Sequence, residues 1–118
     1  MLSDIICLMK KYQHKNLASG DWNKKPFLEQ MANIGSEVYR AINWKNKGNE
    51  EYAHMAFVRS LELFDLTKGS KLTYPQYKEL SRMREIWVDF FKYENIYNST
   101  GESFNTYFTN LTIAFKNR

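Results

Sequence analysis

Apolar and small side chains between Asn49 and Gly69 recur at the spacing of a helix that faces a protein core. Asn49 is a suitable N-cap for this helix, and Gly69 is a suitable stop directly after Lys68. Glu50 and Glu51 suit the positive end of the helix dipole. The core-facing positions are Ala53, Phe57, Ser60 and Phe64, with Ala56 and Leu63 beside them.

A second helix is predicted from Pro26 to the segment 45–48, because proline fits the first turn of a helix. Gly35 lies on its apolar face and costs about 1 kcal/mol relative to alanine inside a helix. We therefore expect a neighbouring helix to approach closely at Gly35. The other inward positions are Leu28, Met31, Ile34, Val38, Tyr39, Ala41 and Ile42.

A third helix is predicted to begin at Thr73, which stands three residues before Gln76 in the spacing of a capping box. Pro75 falls in its first turn, and the helical pattern fades across residues 95–98. The inward positions are Tyr77, Leu80, Met83, Trp87, Phe90 and Phe91.

Two further helices are predicted nearer the ends of the chain. Ser99 and Glu102 offer a capping box for a C-terminal helix, and residues 3–14 form a short N-terminal helix capped by Ser3. Residues 15–25 read as a loop anchored by Trp22. The inward positions of the C-terminal helix are Phe104, Tyr107, Phe108, Leu111, Ala114 and Phe115.

The fold class predicted from these elements is all-α. No segment shows the alternation of apolar and polar residues that is typical of a strand. The very short link around Gly48 favours an antiparallel arrangement of the two helices that it joins. We expect one domain over residues 1–118, formed by an up-down-up-down four-helix bundle with an additional short N-terminal helix.

Composition agrees with an ordinary globular protein of 118 residues, 43% hydrophobic and 25% charged. The single cysteine, Cys7, excludes an internal disulfide framework and favours a reducing compartment. The sequence has no secretion signal and no stretch of about 20 apolar residues. We therefore expect a cytoplasmic protein with no membrane partner.

Catalytic and metal-binding motifs are incomplete. Glu51 and His54 have the Glu-x-x-His spacing of a di-metal bundle, but the only other histidine, His14, has no carboxylate three residues before it. Nucleophile and phosphate-loop glycine motifs are also missing. The sequence therefore predicts no catalytic residue, no metal and no cofactor, and it favours a protein that is not an enzyme.

Six charged residues lean toward the predicted helix interfaces, and we call them the polar seam. They have two interpretations, a polar site inside the bundle or ion pairs along the helix seams, and the second is favoured. The polar seam consists of Glu37, Arg40, Arg59, Glu62, Arg82 and Glu85.

Seven cations gather at one end of the predicted bundle, and we call them the basic pole. Cations after a helix complement its dipole, whereas Lys24, Lys25 and Lys78 at helix starts do not. Contact with nucleic-acid phosphates and simple solubility are both compatible with this cluster. The acids predicted beside it are Asp65 and Glu79. The basic pole consists of Lys24, Lys25, Lys68, Lys71, Lys78, Lys116 and Arg118.

The segment 31–41, with Trp44, residues 47–49 and the segment 59–67, resembles a group of small uncharacterised prokaryotic helical proteins. The resemblance continues to residues 89–91, covers about three-quarters of the chain and implies a bacterial or archaeal source. The chain also shows a fainter likeness to HEPN-type domains, many of which are RNases or partners of nucleotidyltransferases. Their catalytic arginine precedes a histidine by several residues. His14 has no arginine before it and Arg40 lies too far before His54, so that nuclease centre is absent here.

The sequence therefore favours a non-enzymatic helical-bundle protein that acts by binding a macromolecule. The partner is another protein, a second copy of the chain, or RNA or DNA bound at the basic pole. The alternative from another class is a HEPN-like RNase or a toxin–antitoxin component.

Overall fold

The computed structural model describes residues 21–117, with the exception of the Phe115 side chain. The described residues contain no strand and form four helices: α1 (Phe27–Asn46), α2 (Glu50–Lys68), α3 (Tyr74–Lys92) and α4 (Gly101–Lys116). A 3-10 turn at Trp22–Lys24 precedes them. The all-α class is confirmed for this part of the chain. The predicted helix at 3–14, together with Cys7, His14 and Arg118, lies outside the described residues.

Two of the predicted helix starts are confirmed by their hydrogen bonds. The Asn49 side chain accepts a hydrogen bond from the Tyr52 amide at the start of α2. At α3, the Thr73 hydroxyl accepts from the Gln76 amide while the Gln76 side chain accepts from the Thr73 amide. These caps satisfy amides that a helix N-terminus otherwise leaves unpaired, so the local sequence fixes where each helix begins.

The predicted cap of α4 is wrong. The cap is formed by Thr100 and Ser103, since the Thr100 hydroxyl accepts from the Ser103 amide and the Ser103 hydroxyl accepts from the Thr100 amide. Ser99 instead bonds through its backbone to the side chain of Asn95, a residue with positive φ. This loop contact removes Ser99 from the capping position. Helix α1 also begins one residue later than predicted, with Pro26 as its N-cap.

The corrected cap can be tested by substitution. We expect Thr100→Ala to lower the free energy of unfolding by about 0.5–2 kcal/mol, because it removes an N-cap acceptor. The matched control is Ser99→Ala, which removes the hydroxyl of the wrongly predicted cap, keeps the backbone bonds of residue 99 to Asn95 and should alter stability little. Urea denaturation of both variants measures the difference. A larger loss in Ser99→Ala than in Thr100→Ala would restore the original prediction.

Successive helices contact each other through residue pairs whose numbers run in opposite directions. Arg59 of α2 reaches Glu37 of α1, and the ring of Tyr52 packs against Trp44. Helix α3 follows α2 in the same way. Its contacts with α2 include Arg84 to Asp65, Trp87 to Ser60 and Lys92 to His54.

Helix α4 packs on α1 at the predicted close approach. A Cβ added at Gly35 would lie 2.6 Å from the Cβ of Phe108, which is far inside normal contact distance. Nearer the start of α4, a Cβ at Gly101 would lie 3.2 Å from Ile42. Gly35 is therefore buried on the apolar face for the reason predicted: only hydrogen fits between the two helices.

The core is built around aromatic rings from α2, α3 and α4. Trp87 is fully buried, and its ring contacts those of Phe57, Phe90, Phe91 and Phe104. The Trp87 indole also donates a hydrogen bond of 2.9 Å to the Ser60 hydroxyl, which satisfies its polar atom inside the core.

Three predicted core residues are exposed instead. Tyr39 and Tyr77 are 55% and 45% exposed, and Ala114 also lies at the surface. Tyr39 falls at the edge of the apolar stripe of α1. Tyr77 and Ala114 lie near a helix end, where a neighbouring helix no longer covers the stripe.

Candidate functional site

The first half of the polar seam centres on Glu37 of α1, which pairs with Arg40 of the same helix and with Arg59 of α2. The Glu37 carboxylate is buried, with 6% of its surface exposed. Arg40 lies 2.9 Å from one carboxylate oxygen and Arg59 lies 3.3 Å from the other. A buried carboxylate needs such partners because burial alone disfavours its charge. The two arginines thus balance Glu37. Glu62 is also buried, at 3% exposure, on α2.

The second half of the polar seam finds its partners elsewhere, on α3 and in the loop that follows it. Arg82 lies 3.0 Å from Glu79 of the same helix. Glu85 accepts a hydrogen bond of 2.8 Å from the Tyr97 hydroxyl. The polar-seam residues therefore fall into two separate groups, one on α1 and α2 and the other around α3.

Glu79 has a second partner that sequence reasoning missed. The Tyr107 hydroxyl of α4 donates a hydrogen bond to it. This bond is the largest cause of a lowered pKa of the Glu79 carboxyl, with Arg82 acting in the same direction. Burial, followed by the same hydrogen bond, raises the pKa of the Tyr107 hydroxyl. Glu79 is thus an ionised acid whose charge is already balanced at neutral pH.

The Trp22 turn joins the start of α1 to the end of α2. Trp22 is 1% exposed, and its indole donates a hydrogen bond of 2.8 Å to the Thr67 hydroxyl. The buried Gln30 side chain donates both to the Trp22 carbonyl and to Ser70. Trp22 thus anchors the described end of the predicted loop, whose residues 15–20 lie outside the described part of the chain. These contacts place Lys24 and Lys25 at the same end of the molecule as Lys68.

Two lysines of the basic pole have acidic neighbours that the sequence-based count left out. Lys24 lies 3.7 Å from Asp21 and Lys25 lies 3.3 Å from Glu29. Asp65, one of the acids predicted there, pairs with Arg84. Asp21 and Glu29 stand three and four residues from their lysines, so helical spacing alone was enough to find them.

The remaining lysines of the basic pole have no such neighbour. Within residues 21–117, no carboxylate lies at ion-pairing distance from them, and all four side chains are exposed. Arg118 lies outside the described residues. The lysines concerned are Lys68, Lys71, Lys78 and Lys116.

Two exposed tyrosines accompany these lysines on α3. The Lys78 amine lies over the Tyr74 ring, 5.6 Å from its centre, and the Lys68 amine lies over the Tyr77 ring at 6.0 Å. Tyr74 is 72% exposed. Sequence reasoning missed this pairing, although the Tyr74–Lys78 spacing of four residues places both on one helix face.

A groove on the surface of α3 adjoins this tyrosine–lysine cluster. Its volume is about 660 Å³, and its acids are Glu79 and Glu85, both already hydrogen-bonded within the protein. The lining also includes Tyr74, Pro75, Tyr77, Lys78, Ser81 and Arg82.

Lysines at the opposite end of the molecule contact the protein itself. Lys45 donates a hydrogen bond to the Phe91 carbonyl, 3.4 Å away, and its amine lies over the Phe91 ring. Lys47 lies over the Trp44 ring. Lys92 lies 3.1 Å from the His54 ring nitrogen. Within residues 21–117 these three lysines likewise have no carboxylate at ion-pairing distance. They differ from Lys68 and Lys78 in that the phenylalanine or tryptophan ring beside each of them is buried or partly buried, whereas Tyr74 and Tyr77 are exposed.

Within the part of the chain that the structure describes, histidine and acidic side chains form no group of three able to hold a metal ion. None of the described helices has the length and apolar character that a membrane span needs. Comparison with known proteins gives no match: no family model, no curated protein and no solved structure is significantly similar to this chain.

Proposed function

We propose that the protein is a non-enzymatic binding protein whose basic pole holds the phosphate backbone of a nucleic acid. The carrying observation is the set of four exposed lysines without a carboxylate at ion-pairing distance in residues 21–117. Lysine contacts with phosphate release condensed counterions, which is the main source of sequence-independent affinity. The net charge of +4 is compatible with the same class of partner.

The order of the helices supports a common location for these lysines. The proposed up-down-up-down bundle is supported by contacts between α1 and α2, between α2 and α3 and between α1 and α4, in which residue numbers run in opposite directions. In such a bundle the end of α4 would lie beside the start of α1, which supports counting Lys116 in the basic pole. A cytoplasmic setting, favoured by the lone Cys7, gives such a protein access to RNA and DNA.

Charge reversal at the basic pole tests the proposal. We expect Lys71→Glu with Lys78→Glu to abolish binding of fluorescein-labelled 20-nucleotide strands and duplexes, measured by anisotropy at low salt. The control reverses Lys47 and Lys92 at the opposite end of the molecule, which lowers the net charge equally. That control should change affinity little, because helices of about 20 residues separate the two ends by roughly 30 Å, more than the ~8 Å screening length.

The dependence of affinity on salt concentration provides a second test in the same experiment. The wild-type affinity should fall steeply as salt rises, with a slope in log–log form of about 0.7 for each single-strand phosphate neutralised. Equal losses in both reversed variants would refute a localised site, and absence of binding at low salt would refute the proposal altogether. Incubation with labelled RNA and Mg²⁺ should leave the RNA intact. Cleavage by the purified protein would favour the HEPN-like RNase instead.

A further inference from the structure

We propose that the ligand of this interface is a single strand, whose unpaired bases stack on Tyr74 and Tyr77. The inference rests on the proposed function and adds the class of nucleic acid to it. It is carried by two exposed rings, each with a lysine amine on one side.

The two rings lie three residues apart near the start of α3 and therefore face the same side of that helix. They are separated by about 4.5 Å along the helix axis, since each residue rises ~1.5 Å. Neither ring is buried: Tyr74 is 72% and Tyr77 is 45% exposed. Successive bases of one strand can therefore reach both rings from solvent.

The position of the amines leaves room for a base. Lys78 lies over one face of Tyr74, and Lys68 lies over one face of Tyr77. A base that stacks on the opposite face keeps its own phosphate within reach of the lysine, whose side chain is flexible. The same ring–lysine unit thus offers a stacking surface and a counter-charge, which are the two components of single-strand binding sites.

A double-stranded nucleic acid cannot stack its internal bases on these two rings. Their bases are paired and stacked on one another, so only the terminal pairs expose a π-face to a protein ring. Exposure alone does not distinguish these tyrosines, since Tyr39 and Tyr93 are 55% and 70% exposed. The lysine amine over each ring does. Every base has a π-face, so stacking of this kind tolerates any sequence.

The acids of the adjoining groove leave the rings accessible to a strand. Glu79 is neutralised by Arg82 and hydrogen-bonded to Tyr107. Glu85 keeps its charge but lies eight residues beyond Tyr77, about 12 Å along α3, which exceeds the ~8 Å screening length. Lys71, just before α3, extends the basic surface beyond the rings. We therefore place the bases on the tyrosines and the backbone toward the lysines.

The test compares a labelled 12-nucleotide strand with an abasic strand of the same number of phosphates. Stacking contributes about 1–3 kcal/mol per base, so the abasic strand should bind the wild type at least about 5-fold more weakly. A 12-base-pair duplex should also bind more weakly than the base-bearing strand. Anisotropy at one low salt concentration measures all three affinities.

Substitution of the rings provides the second arm. Tyr74→Ala with Tyr77→Ala should bind the base-bearing and abasic strands equally, with the salt slope unchanged. Tyr74→Phe with Tyr77→Phe should retain the wild-type preference, because stacking does not need the hydroxyl. The matched control is Tyr39→Ala with Tyr93→Ala, which removes tyrosines that are 55% and 70% exposed elsewhere and should leave the preference intact.

The two proposals fail in different ways. In one outcome, the wild type binds base-bearing and abasic strands equally, while Lys71→Glu with Lys78→Glu abolishes binding of both. That outcome would overturn the stacking inference and leave the phosphate-binding function standing. Binding that survives the lysine reversals would overturn the proposed function. Loss of the preference in the phenylalanine variant would overturn the inference as well, since it would assign the effect to the hydroxyls.

Discussion

Replacing Gly35 with leucine should lower the free energy of unfolding by about 1–3 kcal/mol, the usual cost of overpacking a core. A Cβ at this position would lie 2.6 Å from the Cβ of Phe108, a distance that cannot be relieved by rotating a side chain. Helices α1 and α4 must move apart. The gain in helix propensity over glycine, about 1 kcal/mol, acts in the opposite direction, so a net loss measures the steric conflict.

Two controls separate this conflict from other effects of replacing a glycine. Gly69→Ala should be nearly neutral, because Gly69 has a negative φ and the nearest atom to an added Cβ is 3.5 Å away. The second control is Gly35→Ala in a Phe108→Gly background. There the alanine should cost less than in the wild type, since both the opposing Cβ and its ring are absent. Urea denaturation that shows Gly35→Leu as stable as the parent would place Gly35 at the surface.

Trp22→Ala should lower the free energy of unfolding by about 3–5 kcal/mol, the range for removing a large buried aromatic side chain. The indole is 1% exposed and is the part of its turn that enters the core. It also bonds to Thr67 at the end of α2. The substitution therefore leaves a cavity and releases the segment that carries Lys24 and Lys25.

Trp22→Phe divides this effect into its packing and hydrogen-bond parts. Phenylalanine keeps most of the apolar volume but cannot donate to Thr67, whose hydroxyl still donates to the Leu63 carbonyl. We therefore expect a smaller loss than for alanine, including about 0.5–1.5 kcal/mol for the hydrogen bond. Circular dichroism during urea denaturation measures both variants. Equal stability of Trp22→Ala and the parent would contradict the role of Trp22 as an anchor.

The helices of the described region were predictable because their signals are local. The caps at Asn49 and Thr73 depend on residues within one turn, and the apolar stripes depend only on helical periodicity. Gly35 was predictable for a related reason: a glycine on an apolar helix face has a cost that a close helix contact explains.

The predictions were wrong where two neighbouring residues both suited the same cap, or where a residue of an apolar stripe lay near the end of its helix. Ser99 and Thr100 both suit an N-cap, and the loop contact between Ser99 and Asn95 decides between them. Tyr77 follows the apolar stripe of α3 toward Leu80 but lies near the start of that helix, so it stays exposed. Tyr77 was predicted to lie in the core, but it is exposed and forms one of the two tyrosine–lysine pairs of the cluster.

The sequence by itself determined the all-α class of residues 21–117, the position of the main helices and the existence of a basic excess, because each follows from residue type and short-range spacing. Only the tertiary structure decided which charges neutralise one another. Glu37 takes Arg59 from 22 residues away, and Glu79 takes Tyr107 from 28 residues away. Such partners are set by how the helices pack, and packing also decided that the amines of Lys68 and Lys78 lie over exposed rings.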